Sequence, residues 1–152
     1  MTDGPLAILF VCSGNICRSP YAEAAAESVL DPHRFTVSSA GTVAIAGSPA
    51  TTLMHQVASE RGLDLRSHRA TPLRDAPAPD HVFGMEQEHL VAARRAFPDL
   101  PPDRIRLLAH PSAVPDPYGR DLATYRTTAT MIDEAIAALT ASLLASGSES
   151  DH

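Results

Sequence analysis

Cys12 and Arg18, six positions apart, place a sulfur nucleophile and an anion clamp within one decapeptide, Val11-Cys12-Ser13-Gly14-Asn15-Ile16-Cys17-Arg18-Ser19-Pro20. A guanidinium grips an oxyanion through two parallel N–H bonds, which Lys could not imitate. Before the decapeptide, Ala7-Ile8-Leu9-Phe10-Val11 is an apolar run of strand length. After it, Ser19-Pro20-Tyr21-Ala22-Glu23-Ala24-Ala25-Ala26-Glu27 begins with a Ser cap and Pro at the first helical position, then continues in helix-forming Ala. A loop from the C-terminal end of a strand to a helix N-terminus fans backbone N–H groups onto one point, where the helix dipole also favours negative charge. A thiol and a guanidinium at the two ends of such a cradle are the parts needed to attack a phosphate ester with sulfur. The spacing alone is weak evidence in a chain with twelve Arg; the strand, Gly14 and the helix start give it weight.

The bulk properties narrow the alternatives. The chain has 152 residues, enough for one domain with its own core, and 44% hydrophobic and 20% charged residues, as in ordinary globular proteins. No uninterrupted apolar run approaches the roughly 20 residues that span a bilayer, and no charged segment followed by an apolar one opens the chain. A cytoplasmic protein with no membrane partner is the expectation. The net charge of −6 argues against nucleic-acid binding. All twelve basic residues are Arg, so Lys chemistry is excluded, including a Gly-Lys-Ser/Thr nucleotide loop. Both cysteines lie in the one loop, a pattern of reactive thiols in a reducing compartment and not of a disulfide framework or zinc site. The seven His are scattered, and Glu86 and His89, one helical turn apart, read as a solvated face. No metal and no cofactor are expected.

Strand and helix patterns alternate along the chain. Phe35-Thr36-Val37-Ser38-Ser39 is a second strand; Ala50–Arg61 is a helix ending at Gly62; Asp80-His81-Val82-Phe83-Gly84-Met85 is a third strand. Glu86–Ala96 is a helix closed by Phe97-Pro98, Ile105-Arg106-Leu107-Leu108 a fourth strand, and about Leu122–Leu144 the last helix. Short strands alternating with helices predict an α/β fold, a parallel sheet covered on both faces. In such folds ligands bind beyond the carboxyl ends of strands at a switch point, where the Cys12 loop lies. One domain over residues 1–146 and a flexible tail over 147–152 complete the expected organisation.

Cys12 through Pro20 resembles the signature C-x-G-N-x-C-R-S-P of low-molecular-weight protein tyrosine phosphatases. The resemblance continues in Ser38-Ser39-Ala40-Gly41-Thr42, His68-Arg69-Ala70 and Asp116-Pro117-Tyr118, from about Ile8 to Leu144. It implies a three-layer sandwich with a four-stranded parallel sheet in the order 2-1-3-4. It also implies hydrolysis of phosphotyrosine through a cysteinyl-phosphate, with Cys12 as nucleophile, Arg18 as clamp, and backbone amides from Ser13, Gly14, Asn15, Ile16, Cys17 and Arg18 around the phosphate. A helix N-terminus and a guanidinium favour the thiolate form of such a nucleophile. The Ser19 hydroxyl would donate to that sulfur, and Asn15, Ser39 and His68 would brace the loop from beneath. Asn15 suits a left-handed position in mid-loop. Cys17 resembles the family's second cysteine, which pairs with the nucleophile under oxidation.

Sulfur attack needs a proton donor for the leaving oxygen and then a base for water. Taken alone, Val114-Pro115-Asp116-Pro117-Tyr118-Gly119 is a Pro-rich turn; beside the Cys loop it resembles the family's acid loop, with Asp116 as general acid and base and Tyr118 as a pocket wall. The substrate signals diverge. Ile16 is the branched aliphatic of tyrosine-specific members, where protein arginine phosphatases carry Thr. Asp-Pro-Tyr-Gly instead resembles the arginine branch, and the loop through Ile45 lacks the aromatic often present there. Ile16 touches the substrate side, so a phosphotyrosine protein or peptide is the expected substrate, with Ile16, Ile45 and Tyr118 forming the pocket. A bacterial tyrosine kinase is the expected partner class, and a monomer the expected state. Alternatives are a protein arginine phosphatase and a non-catalytic phosphate-binding module; an arsenate reductase would need further cysteines after Cys17.

Overall fold

The computed structural model describes residues 4–150, with side chains described through Ala145. Its elements are β1 (Leu6–Cys12), α1 (Arg18–Glu27), β2 (Phe35–Gly41), α2 (Thr52–Glu60), β3 (His81–Gly84), α3 (Gln87–Ala96), β4 (Ile105–Leu107) and α4 (Leu122–Ser150). All pairings are parallel and the sheet order is β2-β1-β3-β4, as expected. The chain leaves β1 for β2 on one side and returns to β3 on the other. The reversal occurs at the carboxyl end of β1, where Cys12 stands opposite Gly41.

β1 is apolar throughout because it is covered on both faces. Ile8, Phe10 and Cys12 face a core shared with α1, α2 and α4, including Tyr21, Met54, Val57 and Ile132. Leu9 and Val11 face the other way, with Val82, Leu90, Ile105 and Leu107, against α3. Burying each large aliphatic or aromatic side chain contributes about 1.5–3 kcal/mol, so β1 is held firmly before its loop begins. This gives the expected three-layer sandwich.

Some local expectations differ. Ser19 is not the cap of α1: the helix starts at Arg18, Cys17 occupies the cap position without a side-chain cap bond, and the Ser19 hydroxyl is engaged elsewhere. Pro20 sits in the first turn, where its missing N–H costs no helical bond. α2 begins at Thr52, with Thr51 accepting the Met54 N–H at 3.4 Å, and Gly62 follows it at a φ of 78°. Averaged over an 18-residue window within Leu122–Ala145, α4 is apolar enough to cross a membrane, which the search for uninterrupted apolar runs overlooks. Its Tyr125, Ala129, Ile132 and Ile136 are core residues packed with α1 and α2. α4 extends to Ser150, beyond the expected end near Leu144. The expected tail falls on residues 147–152, whose side chains, and all of residues 151–152, lie outside the described part.

Candidate active site

Residues 12–18 wrap around the N-terminus of α1, and the hydrogen bonds on the outside of the loop determine what faces inward. The carbonyl of Cys12 accepts from Thr42 N at 3.0 Å, Ser13 from Val43 N at 2.9 Å and Ile16 from Thr51 N at 2.9 Å. The Asn15 carbonyl is 2.7 Å from His68 Nε2. In a trans peptide the following N–H points opposite to the carbonyl. The N–H groups of Ser13, Gly14, Ile16 and Cys17 are therefore turned into the cradle. Gly41 permits this: a Cβ there would lie 2.5 Å from the Ser13 carbonyl oxygen and 2.9 Å from Asn15 N.

Cys12 is buried at the floor of the cradle. Its Sγ is 2.9 Å from Ser19 Oγ and accepts the Asn15 N–H at 3.3 Å. Asn15, at a φ of 56°, is the non-glycine residue in left-handed backbone that the sequence predicts. Its Nδ2 donates to Ser19 Oγ at 2.8 Å and to Ser39 Oγ at 2.9 Å, and its Oδ1 accepts from Thr71 N at 2.8 Å. With Asn15 donating to the Ser19 oxygen, the Ser19 proton has two acceptors in reach, Cys12 Sγ at 2.9 Å and the Ala40 carbonyl at 3.5 Å, and on the closer sulfur it stabilises negative charge. Ser39 in turn donates a hydrogen bond to Glu23 Oε1 at 2.5 Å. Burial holds His68 below the ordinary histidine range, so a neutral ring donates to the Asn15 carbonyl.

Arg18 is 1% exposed, and its guanidinium is divided between two tasks. Nη1 is paired with the Glu86 carboxylate and donates to the Val114 carbonyl at 2.8 Å. Nε has no partner, and Nη2 stands 3.7 Å from Asp116 Oδ2. Nε and Nη2 form the side-on edge of the fork, the edge that grips two oxygens of an anion. An orphaned buried donor is costly unless a ligand satisfies it, and here it lies beside a cradle of N–H groups.

Val114 also fastens the acid loop, since its N–H donates to the Met85 carbonyl at 2.8 Å. Two residues on, the Asp116 side chain is 47% exposed, with Oδ1 accepting the Tyr118 N–H at 3.1 Å. Between this loop and the cradle opens a cavity of about 260 Å³, with Cys12 and Arg18 at its base and Ile16, Val43, Ile45 and Tyr118 on its walls. A larger cavity, about 550 Å³, lies behind the loop among Glu23, Glu27 and His68. It is lined by neither cysteine nor by Arg18, so the smaller one, which holds Cys12, Arg18 and Asp116 together, is the candidate reacting site. Cys17 is buried at the cradle's edge, its Sγ 3.5 Å from both Thr51 Oγ1 and Tyr125 Oη, and burial pushes its thiol up.

The structure thus brings together Cys12, Arg18 and Asp116, the loop amides, the brace of Asn15, Ser19, Ser39 and His68, and the walls Ile16, Ile45 and Tyr118. Sequence reasoning misses Glu86, His89, Thr71 and the Val114 carbonyl. His89, read as solvated, is fully buried, and Glu86 is the counter-ion of Arg18. The signal for both was positional: they open α3 directly after β3, the strand next to β1. Among the described residues no cluster of His, Cys, Asp or Glu could hold a metal.

Residues 7–149 match the family described as low molecular weight phosphotyrosine protein phosphatase. A protein-arginine-phosphatase of Geobacillus stearothermophilus is 34% identical over 80% of this chain and 85% of its own length. The low molecular weight protein-tyrosine-phosphatase Wzb of Salmonella typhi is 32% identical over 83% and 86%. Vibrio vulnificus Wzb, solved in complex with benzylphosphonate, superposes with a TM-score of 0.81 at 30% identity, over 91% of this chain and 99% of its own. The cradle, its divided arginine and a match over nearly the whole chain lead to one conclusion: this protein belongs to the low molecular weight phosphotyrosine protein phosphatase family and is a phosphatase.

Proposed function

We propose that this phosphatase hydrolyses phosphotyrosine in proteins or peptides. The observation that carries the reading is the apolar shaft above Cys12. Ile16, Val43, Ile45 and Tyr118 form its walls, so an aryl ring is matched by apolar surface. A phosphoguanidinium would bring N–H donors into the same shaft, where Asp116 is the one carboxylate among the lining residues and is required for the chemistry. Ile16 lies over Gly14, whose absent Cβ would be 3.3 Å from Ile16 Cγ1, so the branched side chain projects over the cradle.

The chemistry follows in two transfers. The Cys12 thiolate attacks phosphorus, forming the P–S bond as the P–O bond to the phenol breaks, and Asp116 gives its proton to the leaving oxygen. Asp116 then takes a proton from water, whose oxygen attacks phosphorus; the P–S bond breaks and inorganic phosphate leaves. Arg18 Nε and Nη2 and the inward N–H groups hold the equatorial oxygens, whose charge is spread further in the transition state than in the ester. As part of the same proposal the protein acts as a cytoplasmic monomer, and Cys17 forms a reversible disulfide with Cys12 under peroxide.

A second reading, a protein arginine phosphatase, is favoured by the Geobacillus relative. The single aromatic followed by glycine in the acid loop has a local cause: Gly119 adopts a φ of 81°, where glycine is unstrained. The test is kcat/KM on phosphotyrosine and phosphoarginine peptides side by side. The expected result is a preference for phosphotyrosine that Ile16→Thr reduces, with no turnover in Cys12→Ser. A parent protein that prefers phosphoarginine would overturn the substrate.

A further inference from the structure

The first turn of α3 reaches both ends of the phosphate loop, and the reaction described above accounts for half of it. Glu86 holds Arg18 at the far end. One turn on, His89 reaches the near end, with Nε2 3.0 Å from Ser13 Oγ. The ring is fully buried, and its Nδ1 accepts the Glu86 N–H at 3.0 Å. A nitrogen that accepts carries no proton, so in the neutral ring Nε2 is the donor and the Ser13 oxygen the acceptor. Ser13 immediately follows the nucleophile, and its peptide N–H faces into the cradle. The seat for the ring depends on Gly84, where a Cβ would lie 3.1 Å from His89 Cβ and 2.7 Å from Leu90 Cδ2.

We propose that His89 is a positioning residue for phosphoryl transfer, pinning the Ser13 side chain so that the peptide after Cys12 stays in register with Arg18. The proposal rests on the phosphatase reading above. One short turn then sets the separation between nucleophile and clamp, because Glu86 and His89 are locked to each other by the Glu86 N–H. The surroundings support the neutral form. Burial and the nearby Arg18 push His89 down to about 4, against the opposing charges of Glu86 and Asp116. On its own helix Glu88 also faces the ring, with Oε1 3.7 Å from Nε2, while Arg94 and Arg95 lie in the last turn. A second proton would have to sit on Nδ1, facing the Glu86 N–H, and would break the bond that joins the two anchors.

The test is a double-mutant cycle, Ser13→Ala with His89→Leu, read as kcat and KM on p-nitrophenyl phosphate. Each single substitution is expected to lower kcat on the order of tenfold, with KM little changed, since displacing a reacting group by a fraction of an ångström costs rate. The double variant should lose no more than the worse single one. His89→Gln, whose amide can both accept and donate, should recover part of the loss. Wild-type kcat in Ser13→Ala, or losses that multiply in the double variant, would overturn the proposal. The ring's nitrogen-15 spectrum at pH 6 reads the pairing without turnover. A neutral Nε2–H ring that changes in Ser13→Ala is expected, and an Nδ1–H ring or a cation would refute the pairing. An inactive parent with the expected ring would instead refute the phosphatase reading.

Discussion

The phosphate loop has a back and a front, built by different rules. Behind it, Asn15, Ser19, Ser39 and His68 are joined by hydrogen bonds of 2.7–2.9 Å, and Asn15 and Ser19 are completely buried. In front of it, Val43 is 74%, Ile45 77% and Tyr118 63% exposed, and these residues meet across an open shaft. The back is a closed network in which each group fixes the next, so the cradle keeps its shape without a ligand. The front sets exposed apolar side chains on a hydrogen-bonded backbone, which suits a wall whose side chains adapt to a substrate. Transition-state binding needs the first, and discrimination among phosphorylated side chains rests on the second.

The largest effect of the three should come from Asp116, the front's share in the proposed chemistry. Asp116→Ala is expected to slow phosphorylation of the enzyme by about 10²–10⁴ while leaving the fold intact, measured as the burst rate with an aryl phosphate. An undiminished burst would remove Asp116 from proton transfer and leave the front with no part in the chemistry. Asn15→Ala should strike the back. It deprives Ser19 and Ser39 of a donor, leaves the Thr71 N–H without its acceptor, and keeps the left-handed backbone. A loss of about 2–4 kcal/mol is expected, read from the denaturant midpoint. Substitution at the rim should be mildest. Val43→Ser and Ile45→Ser are expected to stay within about 0.5 kcal/mol of the parent's stability while raising KM for phosphopeptides more than for p-nitrophenyl phosphate. If Ile45→Ser unfolds the protein as readily as Asn15→Ala, the distinction between a fixed back and a free front fails.

How much of this could be read from the chain differs by element. The cradle was legible because its parts are contiguous: a strand, a loop and a helix start decide locally where Cys12, Arg18 and the peptide N–H groups point. Asp116 was legible because Pro115 and Pro117 set it in a recognisable loop. For Ser19 the sequence supports both a helix cap and a partner for the Cys12 sulfur; the structure keeps the second alone, and the engagement of Ser19 by Asn15 Nδ2 is a three-dimensional fact. Glu86 and His89 did mislead. A pair one helical turn apart looks the same on a solvated face and in a buried anchor.

The sequence by itself determined the candidate parts of the proposed reaction, because thiol and guanidinium announce themselves in one loop and the carboxyl in a second short motif. It also determined the alternation of strands and helices that places the loop at the end of a buried strand. Tertiary structure decided what those parts do to one another. Which edge of Arg18 is free depends on Glu86 and the Val114 carbonyl, which reach it from the start of α3 and the loop before α4 only once the sheet adopts the order β2-β1-β3-β4. The orientation of the loop's N–H groups likewise depends on donors from residues 42, 43, 51 and 68. Hydrogen bonds across tens of residues have no local signature, because they are set by which strands become neighbours.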